Sequence, residues 1–208
     1  MSELRDIQRM LTAASEGAVD AVRHFLESGL AVDAQDRDGN RAINNAAKAG
    51  HVNVVMLLLH HGADVNEPDG NGRTPLIACA EGDHPQLVEI LLNAGADING
   101  VGEGGRTALM ECANSSSPKV AKRLLELGAQ VNRQRDDGST ALHEAVFCAC
   151  EEYEEPEDNA IIPILLAAGA DAMMPDSEGI TPLALAQQYA DEIDYTQMLN
   201  RSKQIEDT

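Results

Sequence analysis

The chain reads as an all-α solenoid, a stack of helix-turn-helix units joined by hairpin loops. Three observations predict this. The phrase Gly72-Arg73-Thr74-Pro75-Leu76 returns 33 residues later as Gly105-Arg106-Thr107-Ala108-Leu109, and 33 after that as Gly138-Ser139-Thr140-Ala141-Leu142. A second phrase keeps the same beat: Gly62-Ala63-Asp64-Val65-Asn66, Gly95-Ala96-Asp97-Ile98-Asn99 and Gly128-Ala129-Gln130-Val131-Asn132. Aromatic residues make up 2% of the 208 and Trp is absent, so Ala and Leu must fill the core between closely stacked helices. A period of this length signals a stacked array rather than a closed globule.

Each element follows from local chemistry. Thr74, Thr107, Thr140 and Thr181 are residues that cap helix N-termini, and Pro75 and Pro182 then fall at the first helical position, where a missing N–H costs nothing. A second helix in each unit carries a Leu pair, such as Leu58-Leu59 or Leu124-Leu125. It stops at Gly62, Gly95, Gly128 or Gly169, as expected of a left-handed C-cap. The stretch Asp36 to Gly39 reads as a tight hairpin turn.

The 33-residue unit, the Thr-Pro-Leu phrase and the Gly-Ala-Asp-Val-Asn ending resemble the ankyrin repeat family, over about Leu4 to Leu199. The resemblance implies one domain over 1–202 followed by a tail, 203–208. Its units span about 4–35 (a cap), 36–68, 69–101, 102–134, 135–175 with an insertion at 150–158, and 176–202 (a closing cap). In the second unit Arg41-Ala42-Ile43 replaces the Thr-Pro phrase, which weakens the cap of its first helix. The resemblance also assigns His51 and His84, just before second helices, to capping and packing.

Catalysis has no support in the residues: no nucleophile is paired with a base, and there is no phosphate-binding glycine loop. Cys79 and Cys112 stand one period apart, where Ala46 and Ala145 stand in the neighbouring units, and read as small core residues. Cys148-Ala149-Cys150 lacks the two-residue spacing of a zinc site. His60 and His61 suit the end of a helix. His143-Glu144 has no second His four residues on. No cofactor and no metal are expected.

The formal charge of −20 argues against nucleic acid and anionic membrane as partners and favours a basic protein. No stretch approaches the ~20 apolar residues of a membrane span. The first residues lack the pattern of a secretory signal, and a cytoplasmic chain, monomeric when free, is the expectation.

The array breaks its own rhythm once, in the 41 residues from Thr140 to Thr181. The extra residues include Glu151, Glu152, Tyr153, Glu154 and Glu155, ahead of Pro156. They read either as an extended first helix or as a solvated loop. From Asp136 to Asn200 there are 15 Asp or Glu and no Lys or Arg. Four of the five aromatic residues also lie in that third of the chain, and Phe147 and Tyr189 fall near the ends of first helices. In the family that zone and the hairpin tips contact partners.

The expected partner-binding residues are therefore Asp136, Asp137, Phe147, Glu151, Glu152, Tyr153, Glu154, Glu155, Glu178 and Tyr189. The expected function is a non-catalytic protein-binding module for a basic partner, in the manner of an inhibitor or immunity protein. The alternative is an adaptor joining two proteins.

Overall fold

A computed structural model describes residues 2–152 and 160–188. It contains eleven α-helices among those residues, and the chain divides into two compact units, 1–103 and 104–208.

In the first unit the helices come in pairs: α1 (Ser2–Ser15) with α2 (Val19–Glu27), α3 (Ala42–Lys48) with α4 (Val52–His60), and α5 (Pro75–Glu81) with α6 (Pro85–Asn93). First helices pack on first helices, α1 on α3 on α5. Second helices do the same, α2 on α4 on α6. The core between the two rows is aliphatic, with Met10, Ile43, Leu58, Leu76, Leu87 and Leu91 almost wholly buried. The small column predicted from the period is present: Ala46 and Cys79 are both fully buried. Cys79 also donates its Sγ–H to the His84 carbonyl (3.2 Å), and burial pushes its thiol pKa up to about 12, with Asp83 adding to the effect.

The second unit repeats the plan with α7 (Ala108–Asn114) and α8 (Pro118–Glu126), α9 (Ala141–Glu152) and α10 (Ile161–Ala167), then α11 (Pro182–Gln188). Here α9 packs on α7 and α11, and α10 on α8. Met110, Leu124, Leu142 and Ile161 fill the space between.

The expected caps form at three of four sites. Thr74, Thr107 and Thr181 accept the N–H groups of Ile77, Met110 and Ala184 at 3.4, 3.3 and 3.1 Å. Thr140 departs from this. Its hydroxyl meets Nδ1 of His143 at 2.9 Å, and its N–H donates to the same nitrogen at 3.1 Å. In the preceding repeat the Met110 sulfur accepts the Thr107 N–H in the same register (3.5 Å), so two different side chains close one motif. Because Nδ1 accepts, Nε2 carries the proton and donates to the Ile180 carbonyl at 3.1 Å.

Arg41 has extended backbone angles and makes no side-chain cap bond, as its sequence implied. Its guanidinium instead turns inward to Asp33 and Glu67 (3.3 Å each).

Two expectations are corrected. His51 and His84 precede second helices but cap neither. The His51 ring lies over Gly17, and its Nε2 meets the Ser15 carbonyl at 2.9 Å. The His84 ring occupies the space beside Gly50. The first helix of the fifth repeat also runs to Glu152, which puts Phe147 in the middle of α9 rather than near its end.

The cause of that extension lies in one column of the repeat. Earlier repeats turn between their helices on a residue with positive φ: Gly17 (+74°), Gly50 (+77°), Asp83 (+51°) and Ser116 (+50°). The next residue in that column is Ala149, which resists the left-handed conformation, so α9 continues.

The regular beat of Asn residues joins successive repeats. Asn66 donates its Nδ2–H to the Gly95 carbonyl and accepts the Asp97 N–H, both at 2.9 Å. Asn132 does the same for Gly169 and Asp171 at 3.0 and 2.8 Å. Hairpin tips are linked too: the Gly70 N–H donates to the Gly39 carbonyl (2.8 Å), and the Ser177 N–H to the Asp137 carbonyl (2.9 Å).

Candidate functional site

In each unit by itself the hairpin bases and first helices carry charged partners. In the first unit Arg73 reaches Asp69 (3.0 Å) and Glu81 (2.7 Å), and Glu81 also takes Lys48. In the second unit Arg106 meets Glu111 (3.3 Å) and Glu144 (3.8 Å), and Arg135 binds the same Glu144 oxygen, Oε1. Arg135 also grips both oxygens of Asp137 through Nε, at 2.9 Å each. That hydrogen bond from Arg135 holds the Asp137 carboxyl well below the usual carboxylate range, against a smaller opposing effect of burial.

Between α9, the last hairpin and α11 this ladder opens into a cleft of about 260 Å³. Arg135, Glu144 and Asp176 supply its polar rim, and Phe147, Ile180 and Leu185 its apolar wall. Phe147 is 41% exposed, a large ring facing solvent in a chain with two Phe residues in all.

The sequence-predicted residues distribute unevenly over this region. Asp136 and Asp137 form the tip of the hairpin that precedes α9, and both are exposed. Asp137 is already engaged by Arg135, whereas no described cation lies within ion-pair distance of Asp136. Phe147 lines the cleft, and Glu178 is exposed on the last hairpin beside Asp176. Glu151 and Glu152 close α9 by backbone. Tyr153, Glu154, Glu155 and Tyr189 lie outside the described residues.

The structure adds Glu144, Asp176, Ile180 and Leu185 to the neighbourhood of Phe147. A signal for them existed in the columns of the repeat. The residue before each cap Thr reads Arg73, Arg106, Ser139, Ile180, and the one four after it reads Ala78, Glu111, Glu144, Leu185. The last step of both columns is aliphatic, Ile180 after Ser139 and Leu185 after Glu144.

Among the described residues no helix is long and apolar enough to cross a membrane. No curated protein matches the chain. Two family models do: one for ankyrin repeats in three copies, over residues 10–102, and one for ankyrin repeats in many copies, over residues 109–151. Together they span most of the array whose caps, paired helices and hairpins are described above, and the chain belongs to the ankyrin repeat family.

Proposed function

We propose that this chain is a non-catalytic module that binds a basic protein through its hairpin tips and acidic C-terminal third, acting as an inhibitor or immunity-type protein in the cytoplasm. Ankyrin repeats are in general protein–protein interaction modules, and that much follows from family membership. The finer reading is carried by one observation: 15 acids and no base between Asp136 and Asn200, while residues 1–135 hold 18 acids and 13 bases. A field of one sign over one third of a chain steers a partner of the opposite sign and raises its association rate. Arg135, at the edge of this segment, offsets Asp137 and Glu144. The charge available to a partner is therefore that of Asp136, Asp176, Glu178 and the insertion after α9.

Salt and charge reversal test this. A partner captured on the immobilised chain should be released as salt rises through the screening range of about 0.1–1 M. Changing Glu151, Glu152, Glu154 and Glu155 together to Lys should abolish its capture. Undiminished capture by that variant would remove the acidic third from the binding surface.

A further inference from the structure

The column of first-helix residues that ends at Phe147 passes from charged to polar to aromatic. The residues in register with Phe147 are Lys48, Glu81 and Asn114. Lys48 and Glu81 pair with each other. In the column before the cap Thr, Arg73 and Arg106 each lay a guanidinium against first-helix acids, Ser139 leaves that part to Arg135, and Ile180 offers only carbon. Leu185 stands where the preceding repeats place Glu111 and Glu144. Three substitutions for carbon thus converge on one cleft, and the exposed ring of Phe147 forms its wall.

On the rim of that cleft Arg135 is already paired with Asp137 and Glu144, which leaves the charge of Asp176, with Glu178 beside it on the hairpin. Asp176 uses Oδ1 to accept the Glu178 and Ile180 N–H groups at 2.9 Å each, and no described cation lies within ion-pair distance of Asp176 or Glu178. At about 260 Å³ the cleft is smaller than the ~300–1,000 Å³ of small-molecule sites. That size suits a single side chain delivered by a macromolecule.

We propose that the cleft walled by Phe147, Ile180 and Leu185 takes one aliphatic side chain from an exposed segment of a partner protein, with Arg or Lys neighbours in that segment paired to Asp176 and Glu178. The inference rests on the acidic third being the docking face and names the anchor within it. The partner's guanidinium supplies the charge that the last repeat lacks at Ile180. Its aliphatic neighbour covers the ring that α9 leaves in water, the arrangement of a desolvated anchor inside a charged rim.

The experiment titrates the full chain with a nine-residue synthetic peptide, one Leu between two Arg in a Gly/Ser background, and follows methyl resonances. The Ile180 and Leu185 methyls should shift saturably. A peptide with Ala for that Leu should bind about tenfold more weakly, the loss of a buried side chain's methyl groups. Phe147→Ala should abolish the shifts. Ile180→Arg, which places a guanidinium where Arg73 and Arg106 stand, should abolish the Leu185 shift too while leaving the circular-dichroism melt unchanged. Absence of any methyl shift at about millimolar peptide overturns the proposal, as does equal affinity for the Leu and Ala peptides. Equal affinity together with salt-sensitive capture of the whole partner would overturn the cleft and leave the acidic docking face standing.

Discussion

At the scale of single residues, the same register position does different work in different repeats. Met110 and His143 both close the N-cap of a first helix, one through sulfur and one through a ring nitrogen. Asn44, in their column, instead donates its Nδ2–H to the Arg73 carbonyl, the contact that His143 makes with Ile180. Arg41 replaces a cap Thr with a buried guanidinium paired to the partly exposed Asp33. Asp137 shows how a single charge enters stability. Its folded pKa lies below its ordinary value, so its charge adds stability that is fully present above the unfolded pKa of about 3.9 and is lost as pH falls through the lower folded value. Asp137→Asn should therefore lower the melting temperature at neutral pH. The gap from the parent should close progressively below about pH 4, and a gap independent of pH would show that the Arg135 pair does not stabilise the fold.

At the scale of the element, the helices were legible because their signals are local. Thr74, Pro75 and the Leu91–Leu92 pair specify a start, a first turn and a buried stripe without reference to distant residues. The columns ending in Ile180 and Leu185 were visible in the sequence, but that they converge on one cleft with Phe147 appears only when hairpin and helix are brought together. The length of α9 stood between the two cases: the missing turn residue at Ala149 was visible, but whether the chain would turn regardless was not. Turns between paired helices are also where the array is least tolerant. A Cβ on Gly50 would stand 2.4 Å from the His84 ring, on a backbone with φ of +77°. Gly50→Ala should cost about 2 kcal/mol, the sum of left-handed strain and overpacking, measured by urea unfolding. A loss under half of that would mean the His84 ring swings away freely.

At the scale of the whole molecule, a formal charge of −20 opposes folding through self-repulsion. The internal pairs, Arg73 with Asp69 and Arg135 with Asp137 among them, work the other way but are few against the surplus. The melting temperature should therefore rise as ionic strength goes from about 0.01 M to about 0.15 M, where the Debye length falls from about 30 Å to about 8 Å. A fall would show that the ion-pair ladder outweighs the net charge.

The asparagine links between successive loops give the chain a grain. Asn66 fixes the backbone at Gly95 and Asp97, and Asn132 fixes it at Gly169 and Asp171, but the help is not returned. Each of these loops inherits its shape from the repeat before it, and Met173, exposed at the next place in that register, inherits the position without the amide. Damage therefore travels one way: loosening a link frees the loop downstream and spares the one it came from. The hairpin of Asp176 and Glu178, proposed above as part of a docking face, lies downstream of the Asn132 link within its own unit.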